Sequence, residues 1–314
     1  MVILRSMLFV PGNSMRMIYK AATLPADAII FDLEDAVPIP EKSTARIIVR
    51  DSINIVKSGG PYTFVRLNAL ATKLTEEDLK LVIVKGLDGV MLAKAEGTPD
   101  IVELDRILTR IEKDSSLTTQ NIKIIPLIES ARGVINAYNM ATASKRIVAL
   151  AFGSGDYYRD LGRSVDSLSQ EQTELLYARS HIVNSSVAAG VPAIDTVFFG
   201  LLTDREGFVR ETMLAARLGF KGKLLIHPTQ IEPVNNAFSP SSEETEYARR
   251  VVSAFEEARK RGLGAISFEG KMIDYMNYKQ VNELVKQADL IAEKERERRE
   301  NIYFSPLKFF HSIS

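Results

Sequence analysis

Eight short apolar segments with strand-like composition recur between residues 6 and 227, and this repetition limits the folds open to the chain. Stretches with helical spacing separate most of them. Eight strands alternating with helices over about 230 residues match the count and length of a (β/α)8 TIM barrel, an α/β fold. A doubly wound open sheet is the alternative, but no Gly-x-Gly-x-x-Gly follows the first segment to support it. The segments are 6–11, 27–32, 62–68, 89–95, 122–129, 147–152, 193–199 and 223–227.

The pattern changes after Asn236. A Ser/Pro-rich linker leads into a predicted helix that starts at a capping box of Ser241 and Glu244. An extended or turn segment over 265–274 and a last long helix follow, and the charge run at 293–300 predicts a solvated face with i to i+4 pairs. We therefore predict a TIM-barrel catalytic domain over 1–236 and a C-terminal helical extension over 237–314. The extension must pack on the barrel or on another subunit, which favours a homo-oligomer.

Composition excludes several classes of partner. The 40 Lys and Arg residues balance the 40 Asp and Glu residues, so no net field favours nucleic acid or an anionic membrane. The chain has no Cys, which excludes disulfides, thiolate metal ligands and a Cys nucleophile. Neither a signal peptide nor an apolar run near the ~20 residues of a membrane span is recognisable. We expect a soluble, cytoplasmic protein.

Polar residues follow the ends of the predicted strands. Glu129 ends the fifth segment, and Asp156 comes shortly after the sixth. The C-terminal ends of barrel strands form the active-site face, and neighbouring strands lie about 4.8 Å apart, so two such carboxylates can share one cation. Taken singly, each acid is better explained as a capping or solvated turn residue. Other strand ends carry Pro11, Gly12, Asn13, Asp32, Glu34, Asp35, Arg66, Lys94, Ile226 and His227.

These residue types suit the chemistry of a carboxylate substrate. The oxygen atoms of Glu129 and Asp156 are ligands that Mg²⁺ or Mn²⁺ accepts, and two protein ligands leave room for a chelating hydroxy- or keto-carboxylate. Arg66 carries a planar fork for a substrate carboxylate. Arg16 and Lys20, one helical turn apart, fit a phosphate site or an ordinary charged surface.

Seven motifs, in the right order, resemble the citrate lyase β-subunit family. That family belongs to the HpcH/HpaI aldolase superfamily, which also contains malyl-CoA and citramalyl-CoA lyases. The resemblance extends from about residue 5 to 290. Its motifs are RSMLFVPGN from Arg5, FDLEDAV from Phe31, VRLN from Val65, PLIES from Pro126, FGSGD from Phe152, GFKGKLLIHP from Gly219 and GKMID from Gly270.

The resemblance implies a role for each matching residue at the metal. Glu129 and Asp156 match the family's Mg²⁺ ligands, and Arg66 matches the arginine that binds the substrate carboxylate. Glu34 and Asp35, which follow Asp32 on the same strand end, match acids beneath the metal site that hold metal-bound waters or orient the arginine. The residues that fall where family members contact the acyl-CoA or a related thioester are Pro11, Gly12, Asn13, Arg16, Lys20, Ile226 and His227.

The resemblance also implies a residue shared between subunits. Asp274 matches an aspartate of the C-terminal segment that reaches into a neighbouring subunit's site as an acid/base, which implies a homotrimer or hexamer. Many relatives carry Pro directly after this aspartate, whereas Tyr275 stands here. The shape of the loop around the carboxylate is therefore expected to differ.

The implied function is reversible carbon–carbon cleavage of a 3-hydroxyacyl-CoA thioester. Citramalyl-CoA, malyl-CoA or citryl-CoA would give acetyl-CoA and a 2-keto acid, with coenzyme A entering as part of the substrate. One alternative is a class II aldolase acting on free hydroxy-keto acids. Another is a citrate lyase β subunit that works only within a complex, on an acyl-carrier-protein thioester. A barrel that has lost catalysis and serves as a scaffold is a third.

Overall fold

Eight parallel strands form a closed barrel in sequence order, which confirms the predicted TIM barrel. The computed structural model describes residues 2–115 and 117–304. β8 closes on β1 with Ser6 opposite Lys223. The strands are β1 (Ser6–Pro11), β2 (Ala28–Asp32), β3 (Tyr62–Leu67), β4 (Gly89–Leu92), β5 (Lys123–Ile128), β6 (Leu150–Phe152), β7 (Ala193–Asp195) and β8 (Gly222–Leu225).

Helices follow the strands and cover the outside of the barrel. They are α1 (Met15–Ala21), α2 (Lys42–Ser58), α3 (Thr75–Val82), α4 (Thr98–Asp114), α5 (Ala131–Ile135), α6 (Ala137–Thr142), α7 (Ser154–Asp160), α8 (Leu176–Ala189), α9 (Arg205–Leu218) and α10 (Ile231–Ala237). In the part of the chain that the structure describes, no helix combines the length and apolarity that a membrane crossing requires.

Alternation along the strands divides the core into two layers. On β2, Ile30 points into the barrel, where it packs with Met7 and Phe64, whereas Ile29 and Phe31 point out against the helices. Successive side chains of a strand face opposite ways, so a strand buried on both sides is apolar at every position. Burying each such Ile or Phe contributes about 1.5–3 kcal/mol, and this double core holds the strand ends in place.

The extension consists of α11 (Ser242–Lys260), a hairpin of β9 (Ala265–Phe268) and β10 (Lys271–Asp274), and α12 (Tyr275–Phe304). The capping box is present: Ser241 Oγ accepts from the Glu244 N–H, and Glu244 accepts from the Ser241 N–H. The segment predicted as extended or turn is thus a two-stranded antiparallel hairpin. The part of the predicted extension at 305–314 lies outside the described residues.

The predicted solvated face at 293–300 is wrong for two of its residues, which dock α12 onto the N-terminal end of the barrel. Lys294 Nζ donates to the carbonyls of Ile3 and Asp27 at 3.1 and 3.0 Å. Arg298 donates to two carbonyls of the α1–β2 loop at 2.7 and 2.6 Å. The sequence alone predicts a solvated charge run, because the carbonyls that accept these hydrogen bonds lie some 270 residues earlier in the chain.

Candidate active site

Charged side chains from five neighbouring strands meet at the C-terminal end of the barrel. We call this group the apical cluster. It brings together all the predicted metal and carboxylate-binding residues of one chain, and Lys94 with them. Its members are Asp32, Glu34, Asp35, Arg66, Lys94, Glu129 and Asp156.

Arg66 lies at the centre of the apical cluster and is held by Asp32. The two residues are partners in the β2–β3 register, so the guanidinium meets the carboxylate side on. Nε donates to Oδ1 at 2.8 Å and one terminal nitrogen donates to Oδ2 at 2.6 Å, while the guanidinium also stacks over the Phe9 ring. Burial opposes the charge of Arg66, but the hydrogen bonds and charge of Asp32 raise its pKa.

This geometry corrects the expected use of the Arg66 fork. Its Nε edge is engaged by Asp32, so the group that faces the remaining acids is the other terminal nitrogen, Nη1. That atom lies 3.1 Å from Glu34 Oε2 and 3.8 Å from Asp35 Oδ2. Glu34 and Asp35 are therefore placed to orient Arg66, one of the two roles that the resemblance implied for them. A substrate carboxylate would meet Nη1 rather than the whole fork.

Asp32 also shapes the turn that carries the two other acids. Its carboxylate accepts from the N–H groups of Glu34 and Ala36 at 2.8 and 3.1 Å. Its carbonyl accepts from the Gly12 N–H at 2.9 Å, and a Cβ on Gly12 would lie 2.7 Å from that oxygen. Only glycine permits this approach, so the β1 turn is fixed against the apical cluster.

Glu129 directly follows β5 and is 7% exposed. Its Oε2 accepts one hydrogen bond, from the Lys94 N–H at 2.9 Å. The side chain lies flat on Gly153, where a Cβ would come within 2.5 Å of Glu129 Cγ. Burial, with the charge of Glu34 next, raises the pKa of Glu129 to about 8. The Lys94 N–H and the charge of Arg66 lower this pKa, but they do not offset the effect of burial.

Asp156 lies shortly after the end of β6, in the helix that follows it. β6 stops at Phe152, and Asp156 lies in the first turn of α7, because Gly153 and Ser154 begin the helix at once. The Ser154 hydroxyl and N–H bond to Thr196 Oγ1 at 2.8 and 3.0 Å and fix this turn. Asp156 forms ion pairs with Arg159 and, at 3.8 Å, with Lys94.

The residues predicted to contact a thioester lie on two neighbouring loops. Pro11, Gly12 and Asn13 end β1, and Ile226 and His227 follow β8, which pairs with β1. The Asn13 amide donates to Glu41 at 2.5 Å. The Gln230 side chain accepts from the N–H groups of Ile226 and His227 at 3.0 and 3.2 Å. The two loops therefore form one side of the barrel rim.

Arg16 and Lys20 lie on α1, beyond the same rim, and both are exposed. Neither has an ion-pair partner in the ranges 2–115 and 117–304. Two cations one turn apart without a neutralising acid leave a positive surface that suits an anion.

Asp274 does not join the apical cluster within one chain. It ends β10 in the extension, where its carboxylate accepts from the Asn277 N–H at 2.9 Å and its own N–H donates to the Asn277 side chain at 3.1 Å. Among the described residues, no hydrogen bond or ion pair connects it to the apical cluster. Exposed apolar side chains surround it: Met272, Tyr275 and Met276.

The apical cluster fits a divalent cation by its donor chemistry. Within the described residues, no three His, Asp or Glu side chains form a ready-made metal cluster, so the protein would supply few ligands. Glu34 Oε2 is buried without a hydrogen bond, although Arg66 is nearby as an ion pair. The high pKa of Glu129 also marks uncompensated negative charge. Hard carboxylate oxygens with open coordination positions suit Mg²⁺ or Mn²⁺.

A closed barrel that gathers acids and bases at the C-terminal ends of its strands belongs to the class of TIM-barrel enzymes. The chain matches the HpcH/HpaI aldolase/citrate lyase family over residues 5–228. It belongs to this family, as the motifs predicted, and it is a lyase.

Three similar proteins illustrate the relationship. The citrate lyase subunit beta of Leuconostoc mesenteroides subsp. cremoris is 42% identical over 270 residues, which cover 86% of this chain and 88% of the relative. The L-malyl-CoA/beta-methylmalyl-CoA lyase of Cereibacter sphaeroides is 31% identical over 305 residues, covering 92% and 95%. A crystal structure of the protein CitE from Mycobacterium tuberculosis, in complex with magnesium, acetoacetate and coenzyme A, is 31% identical, covers 91% and 98%, and gives a TM-score of 0.68.

Proposed function

We propose that this protein is a Mg²⁺-dependent lyase that cleaves a 3-hydroxyacyl-CoA thioester into acetyl-CoA and a 2-keto acid. The observation that carries the proposal is the pair of Glu129 and Asp156 beside Arg66 at the strand ends. The magnesium and coenzyme A named with the Mycobacterium tuberculosis relative support the same ligands here, with Mn²⁺ as a possible substitute. Candidate substrates are citramalyl-CoA, malyl-CoA and citryl-CoA.

Each apical residue has a part in this reaction. Glu129 and Asp156 would hold the cation, which supplies a Lewis acid for the hydroxyl and carboxylate oxygens of the substrate. Arg66, held by Asp32 and steered by Glu34 and Asp35, would orient the substrate carboxylate. The hydroxyl proton leaves to a base, the carbon–carbon bond breaks, and its electron pair passes to the acetyl thioester as an enolate. That enolate then takes a proton at carbon.

The thioester part of the substrate would lie along the β1–β8 side of the rim. Arg16 and Lys20 offer their free charges to the phosphates of coenzyme A. The turn of Pro11, Gly12 and Asn13, with Ile226 and His227 opposite, would line the path from the phosphates to the apical cluster.

We assign the proton transfer at the acetyl carbon to Asp274 of a neighbouring copy. The hairpin exposes Met272 and the start of α12 exposes Met276, while the apical rim exposes apolar side chains such as Met15 and Ile39. Docking one on the other would bury both surfaces and bring the carboxylate to the site. The proposal therefore includes a homo-oligomer, a trimer or hexamer, and a division of the chain into a barrel over 1–236 and an extension over 237–314.

The double variant Glu129→Gln/Asp156→Asn tests the proposed function. Both amides keep the size of the side chains but remove the charges, so we expect Mn²⁺ binding and cleavage of all three thioesters to be lost together. Calorimetry measures the first and release of the keto acid the second. Glu103→Gln/Asp51→Asn, two exposed acids away from the rim, is the matched control. Full metal binding or full activity in the double variant Glu129→Gln/Asp156→Asn contradicts the proposal.

A second candidate is favoured by the 42% identity to a citrate lyase subunit beta. In that case the chain would act only within a complex, on an acyl-carrier-protein thioester. Purified protein that binds Mn²⁺ but cleaves none of the three CoA thioesters supports this candidate. Cleavage of free hydroxy-keto acids without coenzyme A would instead indicate a class II aldolase.

A further inference from the structure

Lys94 has an uncommon backbone conformation at the end of β4. Its φ is +53°, in the left-handed region that residues with a Cβ seldom adopt. The consequence is visible in its N–H, which points across to β5 and donates to Glu129 Oε2 at 2.9 Å. A strained residue that persists beside a functional site is held there by its surroundings for a local purpose. Here the purpose is the orientation of the Glu129 carboxylate.

The side chain of the same residue reaches two more acids. Lys94 Nζ lies 3.2 Å from Glu34 Oε1 and 3.8 Å from Asp156 Oδ2. One residue thus contacts three carboxylates of the apical cluster, by its backbone and its ammonium group. Arg66, the other cation within the cluster, binds Asp32 with two nitrogens and faces Glu34 and Asp35 with the third.

The ammonium is held loosely compared with Arg66. The Lys94 side chain is 49% exposed, and the Arg66 side chain is 12% exposed. Lys94 has a flexible side chain, and its ammonium group is a point charge, whereas the guanidinium of Arg66 is a planar fork. It can move away from Asp156 toward solvent, and the buried Glu34 then keeps its contact with Arg66 Nη1 at 3.1 Å.

We propose that Lys94 is a positioning residue that presets the metal centre: its N–H aims Glu129, and its ammonium holds Glu34 and Asp156 until a divalent cation displaces it. The inference rests on the proposed function, because it takes Glu129 and Asp156 as the metal ligands. The ammonium and the divalent cation would bind the same Asp156 carboxylate. The ammonium therefore limits repulsion between the acids when no metal is bound, and it weakens metal binding by competition.

Removing the ammonium should therefore strengthen metal binding. The variant Lys94→Met keeps the length of the side chain and the N–H, and it deletes the charge. Two unit charges about 4 Å apart near a protein surface interact strongly enough for an expected three- to thirty-fold decrease in the Kd for Mn²⁺. The metal-free variant should also unfold at a lower temperature, and Mn²⁺ should raise its Tm more than it raises that of the unaltered protein.

Two further variants separate the charge from the fold. Lys94→Arg keeps a positive charge and should bind Mn²⁺ within about twofold of the unaltered protein, well short of the change that loss of one charge gives. Lys80→Met is the matched control, because Lys80 forms an exposed pair with Glu76 on α3 and lies outside the cluster. It removes the same charge and should leave the Kd unchanged. A purely structural role of Lys94 would lower the Tm but would not tighten metal binding.

The backbone part of the inference has its own comparison. Lys94→Gly and Lys94→Ala both delete the ammonium, but only glycine adopts a positive φ without strain. We expect the glycine variant to have the higher Tm and the tighter Mn²⁺ binding of the two. The reverse order contradicts the orienting role of the N–H.

The decisive measurement is the Kd for Mn²⁺ without substrate, by calorimetry on the full chain. An unchanged or weaker affinity in Lys94→Met, while Glu129→Gln loses the metal, overturns this inference and leaves the proposed function standing. A Glu129→Gln/Asp156→Asn variant that still binds the metal overturns the proposed function itself. A Lys94→Met variant whose only change is a higher KM for the thioester assigns Lys94 to substrate binding instead.

Discussion

The two ends of the barrel each hold a charge cluster, and β2 has an aspartate of one cluster directly before its start and an aspartate of the other at its end. At the N-terminal end, two nitrogens of Arg5 donate to the Asp27 carboxylate at 2.9 and 3.1 Å. At the C-terminal end, two nitrogens of Arg66 donate to the Asp32 carboxylate at 2.8 and 2.6 Å. We call the N-terminal group the basal cluster; its members are Arg5, Asp27, Lys294, Glu295 and Arg298.

The two clusters differ in what balances their surplus charge. Cations predominate in the basal cluster, and backbone carbonyls of the barrel end accept from both Lys294 and Arg298. Acids predominate in the apical cluster, where Glu34 keeps a buried oxygen without a hydrogen bond and Glu129 accepts a single N–H. Among the described residues, barrel carbonyls thus satisfy most of the basal donors, although Arg298 Nε stays buried without a hydrogen bond. The apical cluster, with its surplus of acids, is suited to completion by a cation.

Each cluster contains a buried group whose pKa is strongly shifted. Burial lowers the pKa of Lys294 to about 8, and burial raises the pKa of Glu129 to about 8. Both groups are desolvated, but the ammonium is surrounded by carbonyl acceptors and lies over the Tyr62 ring at 4.2 Å. Lys294 thus has carbonyl partners for its desolvated charge, whereas Glu129 accepts one N–H and Glu34 Oε2 accepts none.

The largest expected effect comes from Asp27→Asn in the basal cluster. The change leaves Arg5 and Lys294 buried without their carboxylate, and breaking a buried pair in this way costs about 3–5 kcal/mol. Denaturant unfolding measures the loss. Asp51→Asn, which breaks an exposed pair with Arg50, is the control and should leave the midpoint unchanged. Stability close to that of the unaltered protein would contradict the structural role of the basal cluster.

The matching substitution at the other end of β2, Asp32→Asn, should affect activity more than stability. Arg66 keeps Glu34 and Asp35 as partners, so its charge stays compensated, but it loses the fork that fixes its orientation. We expect kcat/KM to fall about 100-fold, or about 2.7 kcal/mol of transition-state stabilisation. The loss of unfolding free energy should be less than half that of Asp27→Asn. Equal losses of stability in the two variants would erase the distinction between the clusters.

The sequence predicts the apical cluster better than the basal one, for a physical reason. Glu129 follows β5 and Arg66 lies near the end of β3, and parallel strands in a barrel bring their C-terminal ends together. Asp156 follows β6 by four residues and lies in the first turn of α7, at the same rim. The commitment of Arg66 to Asp32 required the β2–β3 register, which one sequence does not reveal.

The basal cluster depends on contacts between residues far apart in the chain. Lys294 and Arg298 stand in an alternating charge run, and nothing in that run distinguishes them from exposed neighbours such as Arg296. Only the docking of α12 on the barrel end selects these two. Long-range docking of a helix follows from the whole shape, so local spacing alone predicted a solvated face.

The smallest expected effect is a pH dependence that arises at Lys294. Its pKa in the folded protein, about 8, lies below the ordinary value of 10.5, so between these values the folded state binds fewer protons than the unfolded chain. Stability from this group therefore increases as the pH rises through 8, by about 1 kcal/mol between pH 7 and 9. Lys294→Met removes the group, and the difference in unfolding free energy between the two proteins should shift in that direction. If the difference in unfolding free energy does not change with pH, the Lys294 ammonium is solvated. The basal cluster would then be open to water, as the apical cluster is.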